Sequence, residues 1–271
     1  MPELPEVETT CRGIAPSITQ QKIIKVIVRQ AKLRWPIPST LSTKIKGQVI
    51  NNVHRRGKYL LLSTEVGTVI MHLGMSGSLR IVDNKTAPDK HDHVDIVFEH
   101  GHCLRFRDPR RFGAVLFTAD DPCQHKLLVN LGPEPLGKNF TPDYLFNKSR
   151  KRRVSIKSFI MDSKIVVGVG NIYASESLFK AGIHPKKAAA KVSKEKYNLL
   201  VKATKSVLKA AIKSGGTTLK NFTQSNGKPG YFKHSLNVYG RKGLPCPRCD
   251  KAISHRVIGQ RATYYCTHCQ K

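Results

Sequence analysis

Four cysteines near the end of the sequence, Cys246 and Cys249 in CPRC and Cys266 and Cys269 in CTHC, restrict the fold more than any other feature. Two C-x2-C knuckles separated by sixteen residues can close a tetrahedral thiolate shell around one Zn2+ ion. Four thiolates leave no open coordination position, so such a zinc is structural rather than catalytic. PCPRC also matches half of a nucleobase-deaminase signature, but no H-x-E precedes it and the second pair saturates the metal. A redox dithiol ranks below zinc, because two spaced pairs favour a metal. Between the pairs, RVIGQRATYY predicts a small hairpin with Arg256 and Arg261 exposed. The remaining cysteines, Cys11, Cys103 and Cys123, are isolated, and an odd total of seven argues against a disulfide framework.

Upstream the apolar pattern divides the chain in two. KVIV (25–28), YLLL (59–62), TVIMHL (68–73), VDIVF (94–98), CLRFR (103–107) and AVLFT (114–118) read as short antiparallel strands, with a hairpin turning near His100 and Gly101. They predict a β-sandwich preceded by one helix through PEVETTCRGI, which Pro16 should end. After LGPEPLG (131–137), read as a linker, the pattern becomes helical. Tyr197, Leu200, Val201, Thr204, Leu208 and Ala211 form one buried stripe, stopped by Gly215 and Gly216. IYASESLFKAG predicts a second helix that starts after Asn171 and stops near Gly182. Residues 215–233 read as a mobile loop. The expected class is α+β and multidomain, with segments 1–133, 134–234 and 235–271.

Charge indicates the partner. Lys and Arg total 47 against 18 Asp and Glu, a formal charge of +29 that is typical of a polyanion binder. Fourteen of the acids precede Tyr144, leaving Asp162, Glu176, Glu195 and Asp250 for the rest, so the second half should be the main electrostatic clamp. KSRKRRVSIK (148–157), which includes Arg152 and Lys157, fits phosphate contact better than a disordered tail. GVGN (168–171) lacks the third glycine of a dinucleotide fingerprint; a tight turn offering N–H groups at a helix start, capped by Asn171, suits a phosphate oxygen instead. In DPRRFGA (108–114), Phe112 directly after two arginines suits a wedge entering a base stack, and HLGMSGSLR sets Met75 between glycines. No run of about 18 apolar residues marks a membrane span, and Glu3, Glu6 and Glu8 stand where a secretion signal would be basic. A cytoplasmic, nucleoid-associated protein is expected. With no long heptad or large apolar face, it should be a monomer.

The N-terminus carries the chemistry. Removal of Met1 would leave a secondary amine on Pro2, and at neutral pH a terminal amine offers roughly a few hundredfold more free base than lysine. Attack on a sugar C1′ gives an iminium ion, an electron sink for later elimination. Glu3 and Glu6 lie close enough in sequence for one to act as an acid and the other to orient the amine.

Taken with PELPEVE, RRGKYL, KHDHVD, DPRRFG, VGVGNIYASE, GGTTLKNF, VYGRKG and QRATYYC, the sequence resembles the bacterial formamidopyrimidine-DNA glycosylase (8-oxoguanine DNA glycosylase) family from end to end. The resemblance implies a β-sandwich, a helix-two-turn-helix domain and a four-cysteine zinc finger, with double-stranded DNA between domains. It implies a bifunctional enzyme, an oxidised-purine glycosylase and AP lyase cutting by β,δ-elimination. On matching positions, Pro2 resembles the Schiff-base nucleophile, Glu3 the acid and Glu6 the residue holding amine and water. Lys58 and Arg261 resemble proton donors for β- and δ-elimination. His91, Arg110, Arg152, Lys157 and Asn171 resemble phosphate contacts. Met75, Arg110 and Phe112 resemble the trio filling the hole left by the flipped nucleotide, and Lys220 lies in the loop expected over the flipped base. An oxidised-pyrimidine glycosylase of the endonuclease VIII type and a non-enzymatic zinc-finger DNA-binding protein are the competing readings.

Overall fold

Helix α1 (Leu4–Ile18) buries Leu4, Val7, Cys11, Ile14 and Ile18, the three-and-four spacing that aligns one face along a helix. Pro16 does not end it: the helix runs on to Ile18, and Thr19 closes it by donating its N–H to the carbonyl of Ala15. The prolyl ring removes one backbone bond, and full burial of Ile14 and Ile18 outweighs that loss. The structure, a computed structural model, describes residues 2–217 and 235–271. Lys220 and most of the loop expected at 215–233 lie outside the described residues.

Two compact units divide these residues: 2–130 with 214–217, and 131–213 with 235–271. The first holds two antiparallel four-stranded sheets. One has the order β1 (Ile23–Val28), β6 (Asp92–Phe98), β7 (His102–Arg107), β5 (Ser78–Asp83). The other runs β2 (Asn52–Arg56), β3 (Tyr59–Thr64), β4 (Gly67–His72), β8 (Ala114–Thr118). Side chains of both sheets, of α1 and of the short helix α2 (Leu41–Ile45) enter one core, with Leu60, Leu62, Met71, Ile96, Phe98, Leu104 and Phe106 among its members. The hairpin expected near His100 and Gly101 joins β6 to β7.

The strand runs legible in the sequence do not include β2 and β5. Both are edge strands, and NVHRR and SLRIVD carry the charges and weak alternation that edges tolerate. β6, an inner strand, is buried along its whole length although it contains Asp92 and Asp95. Arg105 donates to both oxygens of Asp95 at 2.9 Å and Arg29 adds a 2.6 Å contact. Burial pushes the Asp95 carboxyl up, but these arginines outweigh it and hold it below the usual range.

The second unit contains α3 (Pro142–Ser149), α4 (Ile156–Met161), α5 (Asn171–Ala181), α6 (Lys194–Lys213) and a hairpin of β9 (Ser254–Ile258) and β10 (Arg261–Tyr265). The stripe expected on α6 is buried, and Tyr197 meets Phe146 and Phe159 edge-on. α5 stops at Gly182, which adopts φ +65 as a left-handed cap. LGPEPLG packs inside this unit: Gly132 donates to the carbonyl of Ser163, and Pro133 accepts from Val167.

Candidate functional site

In the first unit, Pro2 and Glu3 precede α1 and are buried, with Glu3 at 2 % exposure as the N-cap. Glu6, one turn on, is 1 % exposed. One of its oxygens accepts the N–H of Glu3 at 2.8 Å, the other the N–H of Thr217 at 2.8 Å. A buried carboxylate that accepts two backbone donors is fixed in orientation, and here it ties the start of the helix to a segment more than two hundred residues away. Gly216, at φ +82, passes so close that a Cβ there would stand 3.1 Å from Glu6 Oε1.

Lys58 follows Gly57 in the two-residue turn between β2 and β3, where Gly57 takes φ +59. Arg55 Nε donates to Glu8 of α1 at 2.8 Å, and its guanidinium also reaches the carbonyl of Gly57. Burial pushes the Glu8 carboxyl up; Arg55 and Arg12 outweigh that and hold it low. The turn with Lys58 is thereby tethered to the helix that Pro2 and Glu3 begin.

Arg110 and Phe112 project from the β7–β8 loop, with the Arg110 guanidinium 4.8 Å over the Phe112 ring, which is 45 % exposed. Met75 is half-buried in the β4–β5 loop, and together Arg34, His72, Gly74, Met75 and Phe112 line a cavity of about 390 Å³. His91 is half-buried and its carbonyl accepts the N–H of Asp108. Arg34 escapes a reading of the sequence because nothing near it in the chain marks it as a pocket wall, and His72 opens HLGMSGSLR, where only Met75 draws attention.

His72 has a titration consequence. Its Nδ1 accepts the N–H of Gly74 at 3.0 Å, so in the neutral ring the proton sits on Nε2. Burial, with Lys58 and Arg34 adding to it, pushes His72 from 6.5 down to about 4. Between those values the unfolded chain binds a proton that the folded chain refuses, so stability present above pH 6.5 is lost as the pH falls toward 4. The loss is on the order of 3 kcal/mol. Urea midpoints should fall over this window, and His72→Asn, which keeps an acceptor for Gly74, should flatten part of that slope. An unaltered slope in the variant would refute the assignment.

In the second unit, Lys157 is 1 % exposed. Its ammonium donates to Asn171 Oδ1 at 2.6 Å, to the carbonyl of Ala262 at 3.0 Å and to Thr263 Oγ1 at 2.7 Å. Asn171 is the first residue of α5 rather than its cap, which is Gly170. Its side chain is engaged instead with Lys157 and, through Nδ2, with the carbonyl of Ala262 at 3.0 Å and the hydroxyl of Tyr239 at 3.5 Å. Glu176, buried in α5, accepts the N–H groups of Asn237, Val238 and Tyr239 and so places Tyr239 beside Asn171. Arg152 is exposed. Arg261 is exposed at the start of β10, after a two-residue turn in which Gly259 and Gln260 both have positive φ, the pattern of a tight hairpin.

Four cysteine sulfurs gather behind that hairpin, all within 4.8 Å of one another. Cys246 and Cys269 are 3.9 Å apart, Cys249 and Cys266 3.5 Å. A tetrahedron with bonds of about 2.3 Å has sulfur–sulfur edges of roughly 3.8 Å, so the set fits one structural zinc. Cys246 and Cys266 are wholly buried with Phe179, Val238 and Ile253.

Three family models match in chain order. Residues 1–115 match the formamidopyrimidine-DNA glycosylase N-terminal domain, 131–223 the H2TH domain of the same enzymes, and 243–271 a zinc finger found in FPG and IleRS. Formamidopyrimidine-DNA glycosylases of Photobacterium profundum and Syntrophotalea carbinolica are 58% and 56% identical to this chain over 271 residues, covering 100% of both partners in each pair. Among solved structures, the MutM (Fpg) protein of Thermus thermophilus is similar at TM-score 0.89 and 36% identity, covering 99% of this chain and 98% of that one. The wild-type Fpg (MutM) of Lactococcus lactis, in complex with DNA containing a benzylated Fapy-dG, is similar at TM-score 0.92 and 32% identity with 100% of both chains covered. The chain belongs to the formamidopyrimidine-DNA glycosylase family.

Proposed function

We propose that this protein excises oxidised purines, 8-oxoguanine and formamidopyrimidines, from duplex DNA and then cleaves the strand as an AP lyase. The observation that carries the reading is the start of α1, where a buried proline is followed by a buried Glu3 and by a Glu6 fixed on two backbone N–H groups. After loss of Met1, the Pro2 nitrogen attacks C1′ as the damaged base departs, and Glu3 supplies the proton that opens the C1′–O4′ bond. The product is an iminium ion between Pro2 and C1′. Loss of a C2′ proton expels the 3′ phosphate, and a second elimination expels the 5′ phosphate; Lys58 and Arg261 are assigned the proton transfers of these two steps.

His91, Arg110, Arg152 and Asn171 are assigned to DNA phosphates. Lys157 acts through Asn171, since its three protons meet three protein acceptors. Met75, Arg110 and Phe112 are assigned to fill the stack, offsetting the few kcal/mol that flipping costs, and Lys220 is assigned to DNA binding. Zinc, held by Cys246, Cys249, Cys266 and Cys269, keeps the β9–β10 hairpin folded so that Arg261 is presented. Segments 1–133, 134–234 and 235–271 would serve as catalytic, helix-two-turn-helix and finger domains of a monomer acting in the cytoplasm on the nucleoid. No helix among the described residues is long and apolar enough to cross a membrane.

Duplexes carrying 8-oxoguanine or thymine glycol test the proposal. Faster excision of 8-oxoguanine is expected; faster excision of thymine glycol would move the assignment to oxidised pyrimidines. Tight binding with neither base released would leave a non-enzymatic DNA-binding protein.

A further inference from the structure

The β4–β5 loop and the β7–β8 loop share one buried group. Asp108 is 0 % exposed, and it does not belong to the trio assigned to the base stack. Its Oδ1 accepts from Ser76 Oγ at 2.8 Å, and its Oδ2 accepts the N–H of Gly113 at 2.7 Å. Its carbonyl accepts the N–H of Arg111 at 3.1 Å and the Nε2–H of His93 at 2.8 Å. Ser76 Oγ in turn accepts the N–H of Arg110 at 3.2 Å. One carboxylate therefore grips the residue after Met75, the residue after Phe112 and, through Ser76, the backbone of Arg110.

Glycines allow this interlock. A Cβ on Gly74, which has φ +65, would stand 2.5 Å from both Gly113 N and Phe112 C, so the two loop backbones lie against each other there. At Gly113 a Cβ would sit 2.7 Å from the carbonyl oxygen of His72 and 3.0 Å from Asp108 Oδ2. A buried carboxylate that accepts from two loops constrains both, because freeing either one strands a buried polar group.

We propose that Asp108, acting through Ser76 and Gly113, is a positioning residue that holds Met75, Arg110 and Phe112 as one preformed wedge. The inference rests on the assignment of those three side chains to the vacated base stack. A wedge that had to be ordered during insertion would cost conformational entropy at the moment the duplex is distorted; a wedge already fixed does not. Substrates without a stack to fill should not need it.

Asp108→Asn and Ser76→Ala test the proposal, alone and combined, on three measurements. These are excision from an 8-oxoguanine duplex, fluorescence of a 2-aminopurine next to a tetrahydrofuran site as the wedge enters, and borohydride trapping on a single-stranded abasic oligonucleotide. Ser76→Ala leaves the buried carboxylate in place and guards against a variant that fails to fold. The expected result is a tenfold or greater fall in kcat/KM on the duplex, a reduced 2-aminopurine response, and single-strand trapping within twofold of the parent. Since both residues belong to one link, the double variant should be little worse than the poorer single one. Duplex excision within twofold of the parent in both variants, or an equal fall in single-strand trapping, would overturn the proposal. A parent protein that inserts its wedge yet never excises or traps would sink the enzymatic reading alone, leaving the 2-aminopurine comparison to decide the role of Asp108.

Discussion

Replacing Pro2 by glycine should lower borohydride trapping on damaged DNA by about a hundredfold. Two effects of comparable size combine. An iminium formed by a secondary amine has no N–H to lose and stays cationic at every pH, whereas glycine gives an imine that is an electron sink only when protonated. The pyrrolidine ring also fixes rotation about the N–Cα bond, and with it the direction of the nitrogen lone pair, at a residue that is buried just before α1. Freeing that backbone costs roughly 1–2 kcal/mol of order, which is about tenfold in rate. Lysine cannot substitute efficiently, since with a pKa near 10.4 about one side chain in a few thousand is unprotonated at pH 7. Because α1 starts at Leu4, circular dichroism and the thermal midpoint should stay at parental values. A parallel sample that retains Met1 should not trap at all, because an amide nitrogen has no available lone pair. Trapping by the glycine variant within threefold of the parent would show that neither the secondary amine nor its ring matters, and trapping by the sample that retains Met1 would place the nucleophile elsewhere, with Lys58 the first position to examine.

What the sequence displays and what it hides divide by the range of the interaction. The cysteine knuckles, the strand runs, the α6 stripe and the Gly182 cap are local, and each can be read from fewer than about twenty-five consecutive residues. The edge strands β2 and β5 escape because edges need little apolar alternation, and Pro16 misleads because distant packing of Ile14 and Ile18 overrides its local effect. Buried charges escape most completely. Lys157 finds its acceptors at residues 262 and 263, Glu6 reaches Thr217, and Glu176 caps residues 237 to 239. The sequence marks none of these burial partners, which only the folded chain brings within reach. Asp108 is the sharpest case: DPRRFG draws attention to the arginines and the phenylalanine, while the aspartate that fixes them reads as no more than the start of a turn.

Removing zinc should produce the second large effect, confined to one unit. Structural zinc contributes roughly 10–16 kcal/mol to a finger of this kind, far more than Phe179, Val238 and Ile253 can supply around two buried cysteines. Without the metal the β9–β10 hairpin loses its support, and Ala262 and Thr263 leave Lys157. The buried ammonium then loses its bonds to the Ala262 carbonyl and the Thr263 hydroxyl, which is strongly destabilising. Titration with a mercurial reagent and a chromogenic chelator should release one zinc per chain, and Cys249→Ser should purify with less than one. In both cases affinity for tetrahydrofuran-containing DNA should fall at least about a hundredfold, which takes the loss of about 2.7 kcal/mol of contacts. The only tryptophan in the sequence, Trp35, lies in the other unit, where Arg34 stacks on it at 4.5 Å. Its emission should therefore keep the folded wavelength while binding disappears. A shift of Trp35 to the unfolded wavelength on zinc loss would show that the finger supports the whole protein, and unchanged DNA affinity in zinc-free protein would show that the β9–β10 hairpin and Arg261 need no metal to take their place.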